Sequence, residues 1–131
     1  MEMMKTMTND EDVALSVAQV QEKCFSIIAY VGEAKSCFME ALQLAKSGDY
    51  DGSRSKMSEG SDCYNKGHEV HGELIAREAT ACDVPVSLFL IHAEAILMDA
   101  ESCKGYVSEF IDLHRELSSL KKEMPASEKG A

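Results

Sequence analysis

The sequence predicts an all-α fold, an antiparallel three-helix up-down-up bundle, on three observations. Apolar residues recur at steps of three and four along most of the 131 residues, only two prolines occur, Pro85 and Pro125, and turn signals at "SGDYDGS" and "TACDV" cut the chain into three segments. With 45% hydrophobic and 27% charged residues, the composition suits one globular domain. We place that domain at residues 10–122, between tails at 1–9 and 123–131 that are expected to fray.

The first segment carries Val17, Val20, Cys24, Ile27, Val31, Ala34, Phe38, Ala41 and Ala45 along one seam, as a helix packed lengthwise against others requires. Its start is expected near Asn9 or Asp10, where a capping side chain precedes further acids, and its end before the turn at Gly48 and Asp49. The second segment, about 53–80, repeats the spacing with Met57, Ser61, Tyr64, His68, His71 and Ile75. It also holds Gly60, Gly67 and Gly72, each costing about 1 kcal/mol against alanine in a helix, which close approach of a neighbouring backbone would justify. The third segment is expected to start with Pro85 in its first turn, where a missing N–H does no harm, and to run to about Lys122.

The outer helices would each be roughly 50 Å long at about 1.5 Å per residue. The third carries one apolar stripe through Leu88, Ile91 and Met98 and a second through Leu90, Leu97 and Val107. A three-helix core hides only one of them, so the rods are expected to self-associate. Met57 and Met98 are read as core.

Thirteen Lys and Arg against 23 Asp and Glu give a formal charge of -10, which argues against nucleic acids and anionic membrane surfaces as partners. The same charge would steer in a partner with a basic patch. The five cysteines (24, 37, 63, 82 and 103) are odd in number and lack a CxxC pair, so they read as reduced thiols acting as small hydrophobic fillers. "MEMMKTMTNDEDVALS" lacks the form of a secretory signal, and no run reaches the roughly 18 apolar residues of a membrane span, so a cytoplasmic protein without membrane insertion is expected.

The residue that points to chemistry is His92, in the middle of the apolar run "LFLIHAEAILMD" and on one helix face with Leu88, Ile96 and Asp99. An imidazole with an ordinary pKa of ~6.5 is nucleophilic and mostly unprotonated at neutral pH. On an accessible apolar groove it is able to take and return a phosphoryl or acyl group. The blander alternative is a core histidine with one ring nitrogen satisfied.

From about Val17 to Lys121, the sequence resembles the enzyme IIA component of the lactose/cellobiose (N,N'-diacetylchitobiose) class of the bacterial phosphoenolpyruvate-dependent sugar phosphotransferase system. The resemblance rests on "EALQLAKSGDY", "GHEVHGELI", "VSLFLIHAEAILM" and "EFIDLHREL", found in this order. It implies a homotrimer, a compact nine-helix bundle, in agreement with the two stripes. It also implies that His92 accepts phosphate from the histidine-containing phosphocarrier protein and passes it to a cysteine of enzyme IIB during sugar uptake, with no cofactor.

The chain departs from the family pattern V-H-A-Q-D-H-L-M, having Glu94 for the glutamine, Ala95 for the aspartate and Ile96 for the second histidine. In the family that aspartate lies inside the trimer, where three copies bind a divalent metal or stay protonated. With Ala95 the axis is expected to hold no metal and to close by apolar packing. Glu94, two residues from His92, should point about 160° away from it.

In a hairpin turning near Cys82, His71 comes to the height of His92 and is a candidate to orient its ring or contact the phosphate. His68 and Glu94 are further candidates. The resemblance gives the family a histidine at His68 and an amide at His71. His114 is read as a solvated or dipole-complementing residue. Two other functions compete. A metal-binding bundle would use His68, His71 and His92 with Glu69 or Glu94, and a non-catalytic trimeric adaptor would follow from the altered residues 94–96.

Overall fold

The computed structural model describes residues 15–127, which form three helices: α1 (Val17–Lys46), α2 (Tyr50–Ala81) and α3 (Leu88–Glu123). Among the described residues there is no strand. The helix start expected at Asn9 or Asp10 falls outside the described residues, and α1 is instead capped at Ser16. There the Ser16 hydroxyl accepts from the Gln19 N–H, and the Gln19 side chain accepts from the Ser16 N–H, a reciprocal box that satisfies two otherwise orphaned donors.

Every residue of the expected α1 seam from Val20 to Ala45 is buried; only Val17, in the first turn, is exposed. α1 is the shared partner of the other two helices, which meet each other far less. Lys23 pairs with Glu73, and Lys56 with Glu40 at 3.3 Å. Towards α3, Phe25 packs edge-on against Phe89, and Lys35 pairs with Asp99.

The seam of α2 differs from the expected one. Its buried residues are Ser53, Gly60, Tyr64, Gly67 and Leu74, whereas Met57 and Ser61 are half-buried and His68 and Ile75 are exposed. At two glycines the room is indeed needed, but the close neighbours are side chains and not the backbone expected from the sequence. A Cβ on Gly60 would lie 2.6 Å from the Phe38 ring, and one on Gly67 would lie 2.6 Å from Val31 Cγ2. Gly72 has open space around it.

Two connections set the helix ends. Gly48 turns the chain after α1 at φ 89, in the left-handed region glycine enters without cost, and the Asp49 carboxylate caps α2 through the Gly52 N–H at 2.9 Å. After α2, Cys82 takes up a left-handed conformation at φ 50, as a non-glycine C-cap. Here Arg77 Nε donates to Asp83 Oδ1 at 2.8 Å, the Val84 N–H donates to Glu78 Oε2 at 3.1 Å, and the Leu90 N–H donates to Ser87 Oγ at 3.1 Å. Ser87 therefore caps α3, and Pro85 lies in the connection rather than in the first helical turn. Pro85 fixes φ ahead of the cap, and the hydroxyl two residues later does the capping.

The two stripes of α3 part as expected. Leu97 and Val107 are buried and Leu90 is partly so, but Leu88 (84% exposed) and Met98 (65%) face outwards. Met98 is thus not core. The outward stripe continues through Tyr106, Phe110, Leu113, Leu117 and Leu120 at steps of three and four. Among the described residues all five cysteines are free thiols; Cys24 and Cys37 are buried, and Cys82 is exposed.

Candidate functional site

His92 is the fifth residue of α3, so the braced connection before the helix fixes where it stands. Its ring is exposed and, with Leu88 and Phe89, lines a shallow depression that is almost wholly apolar. Phe89 is anchored from behind by Phe25, with ring centroids 4.7 Å apart. The next residue, Ala93, is fully buried, which pins this turn of the helix to the core. Among the described residues no side chain hydrogen-bonds or ion-pairs with His92, so the core-histidine alternative does not describe it.

Glu94 points away from His92 and reaches α2. Its Oε1 lies 3.0 Å from Nε2 of His71, which is the more buried partner. The structure thus joins two sequence candidates, His71 and Glu94, in one interhelical contact. His68 is exposed, its ring 5.8 Å from that of Tyr64 and 6.5 Å from that of His71. Burial, reinforced by Glu101 nearby, pushes the Tyr64 phenol up. The result is a ladder of Tyr64, His68 and His71 along α2, with Glu94 at its end. His114 is half-buried, its Nδ1 3.4 Å from the Ser118 hydroxyl.

Among the described residues, no three His, Cys, Asp or Glu side chains are placed to hold a metal ion, so the metal-binding reading gains no support from the single chain. Ala95 lies on the exposed stripe of α3. Next to the site, Leu74, Ile75, Val84, Val86, Leu90 and Ile91 form an apolar groove between the end of α2 and the start of α3, with Glu78 and Glu94 at its margin. Sequence reasoning missed the Arg77–Asp83 clamp that shapes this end; opposite charges six residues apart across a helix end were its only signal.

Three long helices, with an exposed histidine near the start of the third, make up a small all-helical domain. The chain belongs to the lactose/cellobiose-specific IIA subunit family of the sugar phosphotransferase system (PTS), whose model matches residues 22–115. That makes it a phosphotransferase component, one that carries phosphate between proteins. It is 32% identical over 100 residues to the lichenan-specific phosphotransferase enzyme IIA component of Bacillus subtilis, covering 76% of this chain and 91% of that one. The lactose-specific EIIA component of Streptococcus mutans is 33% identical over 91 residues, covering 70% and 88%.

Among solved structures, the cellobiose-specific enzyme IIA from Bacillus anthracis superposes with a TM-score of 0.74 at 35% identity, covering 80% of this chain and 94% of the other. The IIA(Chitobiose) component in its complex with HPr from Escherichia coli gives a TM-score of 0.67 at 31% identity, covering 76% and 96%. Among the described residues, no helix is long and apolar enough to cross a membrane.

Proposed function

We propose that His92 is the phosphoryl-carrying residue, loaded by the histidine-containing phosphocarrier protein and unloaded onto a cysteine of enzyme IIB during uptake of a lactose- or cellobiose-type sugar. The observation that carries this reading is the exposed imidazole on an apolar rim, held by a well-packed helix turn. A ring-nitrogen lone pair attacks the phosphorus of the donor phosphohistidine in line. The new P–N bond forms as the donor's breaks, and the departing pair returns to the donor ring. In the second half a thiolate of the acceptor attacks, a P–S bond forms, and the pair returns to His92. Both steps conserve charge and protons, so positioning does most of the work. The apolar rim gives a dry contact face that keeps water from the bound phosphate.

The IIA unit spans residues 10–122 and acts in the cytoplasm. Its topology is up-down-up, supported by contacts in which α2 numbers fall as α1 numbers rise (Lys23 with Glu73, Glu40 with Lys56) while α1 and α3 numbers rise together (Phe25 with Phe89, Lys35 with Asp99). It works as a homotrimer, supported by the outward α3 stripe, which is too long and regular for an isolated surface. Ala95 on that stripe closes the axis by apolar packing. His71 and His68 serve as ring-orienting or phosphate-contacting residues, whereas Glu94, turned away from His92, acts only through its contact with His71.

The test mixes the protein with phosphoenolpyruvate, enzyme I and the phosphocarrier protein and follows intact mass. One acid-labile phosphoryl group per chain, absent in His92→Ala, is expected. An acid-stable adduct, an adduct that survives in His92→Ala, or no adduct at all overturns the assignment; the last would leave the adaptor reading in possession.

A further inference from the structure

Far from His92, the first turns of α2 and the second half of α3 enclose a second concavity, lined by Tyr50, Ser53, Arg54 and Met57 on one side and by Ser108, Ile111, Asp112 and Arg115 on the other. Ser108 to Arg115 stand 16 to 23 residues beyond His92 on the same helix, roughly 24–35 Å along its axis. This cleft therefore shares nothing with the phosphoryl-transfer site.

Three features distinguish it. Ser53 is 2% exposed, and its hydroxyl has no hydrogen-bond partner among the described residues, the only buried side-chain oxygen or nitrogen there in that state. A buried hydroxyl left unpaired costs about 1–3 kcal/mol, so a group that supplies its partner recovers that cost on binding. Arg115 and Arg54 both line the cleft. Arg115 is held over the Tyr50 ring, 4.7 Å from the centroid, while Arg54 rests on the exposed Asp51 at 3.4 Å. Two guanidiniums against the lone carboxylate of Asp112 leave the lining net positive, in a chain with a formal charge of -10.

We infer that this cleft binds a phosphate group, as inorganic phosphate or as the head of a small phosphate monoester. A tetrahedral dianion offers an acceptor oxygen to each guanidinium and, once the side chains that close over it part, a third to the Ser53 hydroxyl, with Met57 and Ile111 as the apolar floor. The Arg115–Tyr50 contact lowers the cost of ordering one guanidinium. The Arg54–Asp51 contact is exposed and weak, so Arg54 exchanges it for the ligand at little loss. The Asp112 carboxylate accepts hydroxyl donors from a monoester and disfavours a bare anion, which gives the site its preference between the two sources.

The experiment is a titration of the full chain carrying His92→Ala, followed through backbone amide NMR shifts, with inorganic phosphate and separately with glycerol 3-phosphate at constant ionic strength set by chloride. The His92→Ala background separates this site from the transfer site. Saturable shifts confined to residues 50–57 and 108–115 are expected with at least one probe. Arg115→Gln should weaken binding roughly tenfold or more and Ser53→Ala severalfold, with Arg54→Gln as an exposed variant that leaves folding intact. The inference is overturned if neither probe saturates, if chloride alone reproduces the shifts, or if Arg54→Gln and Arg115→Gln bind as the parent does.

Discussion

Replacing Gly60 or Gly72 by alanine makes the same change in backbone propensity in the same helix, in opposite surroundings. Each substitution gains about 1 kcal/mol of helix propensity. At Gly72 nothing lies within 4 Å of the added methyl, so Gly72→Ala should stabilise by about that amount. At Gly60 the methyl would sit 2.6 Å and 2.8 Å from two atoms of the Phe38 ring and 3.0 Å from Cys37 Cβ. Phe38 is fully buried and cannot swing aside, so overpacking of about 1–3 kcal/mol applies, and Gly60→Ala should fall between neutral and about 2 kcal/mol destabilised. The propensity gain cancels between the variants, leaving a gap of about 1–3 kcal/mol that reports packing alone. Urea unfolding followed by circular dichroism at one fixed protein concentration, needed because assembly adds a mass-action contribution, should show midpoints about 0.5–1.5 M apart for a slope of about 2 kcal/mol per M. Equal midpoints, or Gly60→Ala as the more stable, would refute the account of why glycine stands there.

Three further outcomes are expected. The Arg77 guanidinium beside Asp83 holds that carboxyl below the usual carboxylate range, so the pair's contribution is fully present above the ordinary aspartate pKa and is lost as pH falls through the lowered folded value. The difference in thermal midpoint between the parent and Asp83→Asn should therefore be widest at neutral pH and close in strong acid; a difference independent of pH contradicts this. Burial pushes the Cys24, Cys37, Cys63 and Cys103 thiols up, whereas Cys82 is exposed, so peptide mapping after brief iodoacetamide treatment at pH 8 should find Cys82 labelled first and Cys24 and Cys37 last. A double-mutant cycle of His71→Ala and Glu94→Ala, read by urea unfolding at neutral pH, should give a coupling of about 0.5–1 kcal/mol, held down by the partial exposure of Glu94; no coupling would mean the contact does not persist in solution.

The three helices and the turn at Gly48 were legible because α1 writes its seam in apolar residues alone and each connection carries its own turn chemistry. The register of α2 was not, since its closest contacts are made by Gly60, Gly67 and Ser53, which hydrophobic periodicity cannot register. On α3 both stripes are equally apolar, so periodicity could not say that Met98 would face out. The start of α1 was misplaced because the acidic run from Asn9 mimics a cap signal as well as Ser16 supplies one. At the site, the helical repeat turned Glu94 away from His92 correctly, but naming His71 as its partner needs the relative height and rotation of two helices, which no single-helix argument contains.

α1 serves as the common spine, to which α2 and α3 are each fastened while touching one another little. The subunit is therefore mechanically uneven. At the end where His71 meets Glu94 the short connection, clamped by Arg77 and Asp83, ties α2 to α3, while α1 holds both along their length, so withdrawing α1 dismantles the whole. The position of His92 therefore depends on α1 and on the braced connection more than on direct packing of α2 against α3.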